Sequence, residues 1–147
     1  MNNFMETALN CAKIAFAEDE VPVGAVIVEN GKIIATAYNQ NRKLNDPTAH
    51  AEILALRAAA LIKNNSRLDG CDLYVTLEPC FMCAAAISLA KIRRIYYAAA
   101  DLKFGAIEGR SNFFSNKSCF HVPEIYSGFL EEDSRKLLLD FFQSKRK

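Results

Sequence analysis

The chain has 147 residues and a formal net charge of +1, the length of one ordinary domain. With 51% hydrophobic and 24% charged residues it is not a disordered chain, and no apolar run approaches the ~20 residues of a membrane-spanning helix. Met1-Asn2-Asn3-Phe4-Met5-Glu6 holds no basic stretch leading into an apolar one. No signal peptide and a cytoplasmic, reducing setting are therefore expected, in which five cysteines point to metal or catalytic thiols before disulfides.

Met5, Ala8, Leu9, Ala12, Ala15 and Phe16 recur at helical spacing and predict an amphipathic helix over 3–18. Val23–Glu29 and Lys32–Tyr38 are apolar runs rich in β-branched residues, and Asn30-Gly31 between them is a strong hairpin signal. Asp46-Pro47-Thr48 breaks the chain and offers capping oxygens to a helix over about 49–62. Asp72–Thr76 reads as a strand, Pro79 opens a helix over about 80–90, and Ile92–Ala100 is the next strand region. Residues 101–120 have weak periodicity and read mostly as loop with one short helix. Leu130, Ser134, Leu137, Leu138, Phe141 and Phe142 predict a final amphipathic helix. No repeat, low-complexity tract or linker divides the chain, so 1–147 reads as a single domain. The order of elements gives an α/β protein: a mixed sheet with helices on both faces, one hairpin-paired antiparallel edge, and crossovers long enough for parallel pairs.

Charge is uneven. Residues 1–90 hold seven Lys/Arg against ten Asp/Glu, and residues 91–147 hold eleven against seven. Lys91, Arg93, Arg94 and Lys145-Arg146-Lys147 form basic clusters that suit a polyanionic partner. A solvated surface and a charged tail are the plainer reading of the same clusters.

Cys80 and Cys83, three apart at the start of a predicted helix, lie on one face of its first turn, where the helix terminus favours thiolate. Alone, the pair fits a redox couple, half of a structural zinc site, or two buried thiols. No second Cys-x-x-Cys exists, and the chain has two histidines, His50 and His121. His50 begins a helix. One imidazole and two thiolates leave the fourth tetrahedral position of a zinc ion open for water, which separates catalytic from structural zinc, and zinc brings hydroxide within reach near neutrality. Glu52, two residues on, points to another side of the helix. It is expected beside the metal as a proton carrier; a carboxylate stabilising a helix N-terminus is the alternative. His121 precedes the extended Val122-Pro123 and reads as structural. Cys11, Cys71 and Cys119 have no partner at ligand spacing, and Cys11 and Cys71 read as small buried hydrophobes. Gly24 reads as a place where strand backbone approaches a ligand or neighbour closely, with a bulge as the alternative.

His50-x-Glu52 followed by Pro79-Cys80-x-x-Cys83 resembles the signature of zinc nucleobase deaminases. Beyond it, Asp19–Val26, Asn45–Glu52, Leu73–Cys80, Asp101-x-Lys103-x-Gly105-Ala106 and Leu139–Phe142 resemble the bacterial tRNA-specific adenosine deaminases of the cytidine/deoxycytidylate deaminase superfamily, over about residues 4–143. A histidine at the first ligand position resembles this family and the guanine deaminases. The resemblance implies a three-layer α/β/α cytidine-deaminase-like fold with a mixed five-stranded sheet. It implies one zinc ion per subunit on His50, Cys80 and Cys83, with Glu52 as the catalytic residue. The activity it implies is hydrolysis of the wobble adenosine of a tRNA anticodon to inosine, with release of ammonia. A homodimer is implied too, with the anticodon stem-loop bound near the subunit interface. By the same resemblance the Asn39 side chain and the Ala51 backbone contact the target nucleotide and Asp101 lies near the ribose. From the residues alone, Asn39 equally fits a cap on the turn after the second strand, and Asp101 a solvated loop carboxylate.

The chain departs from many relatives after Gly105-Ala106, where it runs Ile107-Glu108-Gly109-Arg110-Ser111-Asn112-Phe113-Phe114 in place of small residues and a hydrophobic helix. Phe104, Phe113, Phe114 and Phe120 offer surface for base stacking, although burial tendencies favour packing. Three other functions compete: a deaminase of free guanine, cytosine or a nucleotide; a non-catalytic zinc scaffold, which loss of a ligand or the glutamate would mark; and a partner-dependent subunit. Neither loss is seen.

Overall fold

In the computed structural model, residues 3–117, 119 and 121–145 are described. The elements in chain order are α1 (Phe4–Ala17), β1 (Gly24–Glu29), β2 (Lys32–Tyr38), α2 (Ala51–Lys63), β3 (Cys71–Leu77), α3 (Phe81–Leu89), β4 (Arg94–Ala99), β5 (Glu124–Ser127) and α4 (Glu131–Ser144). Among the described residues, a short 3-10 turn at Phe113–Ser115 is the one helical piece in the loop between β4 and β5.

The strands form one sheet in the order β2-β1-β3-β4-β5. β1 runs antiparallel to both β2 and β3, while the β3–β4 and β4–β5 pairs are parallel. The hairpin forms as its dipeptide requires. Asn30 and Gly31 both have positive φ, 51° and 75°, the turn whose twist matches that of paired strands. β1 and β3 lie inside the sheet with both faces covered, which is why their sequences are continuous apolar runs rather than alternating ones.

Alternate residues of β1 divide the core. Ala25 and Ile27 join Ala51, Ala55, Leu56 and Ala59 of α2 and Ala84 and Ile87 of α3 on one face. Val26 and Val28 join Met5 and Ala8 of α1 on the other. α4 packs on the α1 side, against β3 and β4. The result is the expected three-layer α/β/α arrangement with a mixed five-stranded sheet. Gly24 marks a close approach: a Cβ there would lie 1.9 Å from the Ala8 carbonyl oxygen of α1, so the neighbour it admits is a helix. The register shift in β1 falls at Ile27/Val28 instead.

Several local readings need correction. α2 begins at Ala51, not 49, and Asp46 does not cap it. The Asp46 Oδ1 atom instead accepts from the Thr48 N–H (2.8 Å) and hydroxyl (2.7 Å), closing its own turn. α3, which Pro79 opens as expected, runs Phe81–Leu89 with Cys80 as its N-cap. Phe142, assigned to the apolar face of the last helix, is 46% exposed, and Phe141 and Ser134 are the buried positions. β5 is a strand of four exposed residues with no buried alternation, which leaves no sequence pattern to find.

Candidate active site

β3 and β4 point their carboxyl ends at one edge of the sheet, and the loops leaving them carry Cys80 and Asp101 there. Ligands of open α/β sheets bind at such edges. Because β1 is antiparallel to β3, its first residues reach the same edge, and the hairpin returns there at Asn39 after β2. α2 and α3 both begin at this edge, with His50 and Cys80 as their N-cap residues, each with extended ψ (154° and 175°).

Two helix starts thus bring three donors together. The His50 Nδ1 atom lies 3.6 Å from Cys80 Sγ and 3.4 Å from Cys83 Sγ. All three ligand atoms are within 4.8 Å of one another. Zinc–sulfur and zinc–nitrogen bonds meeting at a tetrahedral angle set their atoms about 3.6 Å apart, so this spacing fits a single zinc ion. The Cys80 thiol pKa is lowered to about 4, first by the hydrogen bond from the Cys83 thiol and also by those from His50 and the Cys83 backbone N–H. The Cys83 pKa is pushed upward, first by the same bond, because it holds the proton that Cys80 lacks. A dication between them favours the deprotonated form of both. The His50 pKa is raised, chiefly by its hydrogen bond to Cys80.

Glu52 is 4% exposed and in the first turn of α2. Burial raises its pKa to about 7, against opposing contributions from a backbone hydrogen bond and the His50 charge. A carboxyl poised near neutrality both accepts and donates protons. It lines a cavity of about 380 Å³ with His50, Cys80, Asn39, Asp101 and Phe104.

The remaining expected contacts divide. Asn39 is buried, and its Oδ1 atom accepts from the Ala51 N–H at 2.7 Å. It therefore caps α2, and the Ala51 N–H is already occupied. Ala51 itself is fully buried. Asp101 lines the cavity while its Oδ1 atom accepts from the N–H groups of Lys103 (3.2 Å) and Phe104 (3.0 Å). His121 stands apart, its Nε2 atom 2.6 Å from the Ile92 carbonyl oxygen. Cys11 and Cys71 are buried as expected. The basic clusters lie elsewhere: Arg93 forks onto Asp72 (3.0 and 2.9 Å) and Arg94 pairs with Glu124, at the end of β4 remote from Asp101. Lys145 pairs with Asp19, and Arg146 and Lys147 lie outside the described residues, as does Phe120.

Glu78 is the residue that the sequence reading missed. Its buried carboxylate accepts from four backbone N–H groups: Asp101 at 2.9 Å, Ile107 at 2.8 Å, Glu108 at 2.7 Å and Gly109 at 3.1 Å. It ties the loop after β4 to the loop after β3. A glutamate beside the Pro79-Cys80 motif was the available signal, but its partners are 23 to 31 residues away.

Known proteins agree with this geometry. The family model for the cytidine and deoxycytidylate deaminase zinc-binding region matches residues 1–99. A tRNA-specific adenosine deaminase of Agrobacterium fabrum is 54% identical over 144 residues, covering 98% of this chain and 95% of that protein. One of Rickettsia bellii is 50% identical, covering 97% and 99%. A solved structure from work on A-to-I editing by tRNA:A34 deaminases at the wobble position superposes with a TM-score of 0.91 at 54% identity, over 92% of this chain and 99% of that one. A guanine deaminase of Bacillus subtilis gives 0.67 at 35% identity, over 99% and 94%. A match over two thirds of the sequence, on a fold whose sheet edge assembles one imidazole, two thiols and a buried carboxyl, places this chain in the zinc-dependent cytidine and deoxycytidylate deaminase family.

Proposed function

We propose that this protein hydrolyses the wobble adenosine of a tRNA anticodon to inosine and releases ammonia. The observation that carries the chemistry is the buried Glu52 carboxyl beside the converging His50, Cys80 and Cys83 donors in one cavity. The substrate rests on identity of 54% over nearly the whole length to a tRNA-specific adenosine deaminase, against 35% to a guanine deaminase.

His50, Cys80 and Cys83 would hold the zinc ion, which would supply a water molecule with its pKa lowered towards neutrality. The Glu52 carboxylate takes a proton from the attacking water and passes it to a ring nitrogen of the purine. The water oxygen bonds to carbon 6, and Glu52 then takes the remaining proton of that oxygen and delivers it to the exocyclic amine as the carbon–nitrogen bond breaks and the carbonyl forms. Water and adenosine enter; inosine and ammonia leave. The Asn39 amide nitrogen, left over from the bond to Ala51, is the group positioned to hold the nucleotide. Asp101 stands at the cavity wall for the ribose. Bases of an anticodon loop are already single-stranded, so turning one into the cavity costs little.

We further propose a homodimer, supported by apolar side chains left exposed on α2 and α3, and a cytoplasmic location, supported by five free cysteines. Among the described residues no helix is long and apolar enough to cross a membrane.

An anticodon stem-loop and free guanine, cytosine and adenosine, assayed for ammonia and inosine, test the substrate. Turnover of the free bases without turnover of the RNA overturns it. Glu52→Gln is expected to keep one zinc per chain and lose about 10²–10⁴-fold in rate. Activity that survives the change refutes the proton-carrier role.

A further inference from the structure

We propose that Phe104 is a stacking platform for the base of a nucleotide next to the one deaminated. The inference rests on the reading above, in which the target base belongs to a longer RNA strand. A cavity of about 380 Å³ is at the small end of ligand pockets and takes one nucleoside. The adjoining nucleotides of the strand must then cross its mouth.

Phe104 is 64% exposed and lines that cavity, where it is the only phenyl ring among the described lining residues. The other phenylalanines of the segment behave differently. Phe113 and Phe114 are 8% and 9% exposed, and Phe113 packs edge-on against Phe81 at a 5.1 Å centroid distance. Packing, the expected use of these rings, therefore accounts for two of them and leaves Phe104 without a core to join.

The ring is exposed on a loop that is tightly held. The Phe104 N–H donates to Asp101 Oδ1, the Gly105 N–H to the Asp101 carbonyl oxygen (2.8 Å), and the Ala106 N–H to the Pro79 carbonyl oxygen (2.9 Å). Glu78 gathers four further N–H groups from the two ends of the same loop. A Cβ at Gly105 would lie 2.2 Å from Glu78 Oε2, so the backbone closes directly onto the carboxylate. A large apolar side chain exposed beside the cavity and held by a hydrogen-bonded backbone loses little entropy when a ligand covers it. Every base presents a π-face, so stacking of this kind is tolerant of base identity. The Lys103 ammonium lies over the ring, 5.2 Å from its centroid, so a stacking base must take the opposite face or displace the lysine, whose charge then suits the phosphate of that nucleotide.

The test compares wild type, Phe104→Ala and Phe104→Tyr on an anticodon stem-loop and on two versions with an abasic residue on either side of the target. Wild type is expected to lose about tenfold in kcat/KM on one abasic RNA. Phe104→Ala is expected to lose about tenfold on the intact RNA and nothing further on that abasic one, whereas Phe104→Tyr regains the sensitivity. Zinc content and thermal midpoint equal to wild type show that Phe104→Ala is folded. Phe104→Ala with wild-type kcat/KM, or losses that multiply, overturns the proposal while the substrate reading stands. If wild type itself does not deaminate the intact stem-loop, the substrate reading fails and this inference with it.

Discussion

The Asn39 carboxamide joins the end of β2 to the first turn of α2 through one bond, 2.7 Å from Oδ1 to the Ala51 N–H. An N–H at a helix start has no partner within the helix, and this one is buried away from water. His50, the N-cap residue, gives it no side-chain acceptor because its ring faces the two cysteine sulfurs. Metal ligation and capping compete for the same position, and a residue 12 positions earlier supplies the cap. Asn39→Ala is therefore expected to lower unfolding stability by about 1–2 kcal/mol, measured by urea denaturation of the zinc-loaded protein. A variant as stable as wild type would mean that the Ala51 N–H finds another acceptor.

Among the elements, the loop from Asp101 to Gly109 depends on a side chain outside it. Its N–H groups converge on Glu78, which follows β3, so the geometry of one side of the cavity is set by the parallel pairing of β3 with β4. Glu78→Gln keeps the shape but replaces one acceptor oxygen with an N–H donor facing other N–H groups. We expect a loss of roughly 3 kcal/mol, the scale of a hydrogen bond to a charged group that is broken in a buried place. Amide hydrogen exchange at Ile107, Glu108 and Gly109 should quicken while that of β1 holds. Equal exchange at those three amides in both proteins would remove Glu78 as the clamp.

For the whole molecule, apolar surface and charge suggest different partners for different faces. Leu61 and Ile62 of α2 and Leu89 of α3 are 82%, 64% and 72% exposed, on the helices that open the site. Ile53, Leu56, Ala86 and Ala90 line a depression beside them. Exposed apolar side chains on two neighbouring helices, with a mostly apolar depression that Leu89 also lines, suit a second copy of the chain. Sedimentation equilibrium is expected to give twice the 16.4 kDa chain mass, and Leu89→Glu to shift it to the single mass. A wild-type monomer at micromolar concentration would sink the dimer. The basic residues counted from the sequence do not mark an RNA surface by themselves, since Arg93, Arg94 and Lys145 are already paired with acids.

The sequence by itself determined the four helices, the hairpin and the strands at β3 and β4, because periodicity and turn chemistry act within a few residues. It also pointed to the candidate metal donors and the acid beside them. His50, Glu52, Cys80 and Cys83 are chemically distinctive, and each pair sits at a break that starts a helix. Only the tertiary structure decided that the two starts meet, that Asn39 and Ala51 bind each other, that Glu78 holds the distant loop, and that Phe104 faces outward while Phe113 and Phe114 are buried. Those outcomes depend on strand order and on contacts between residues far apart in the chain, which local patterns of hydrophobicity do not encode.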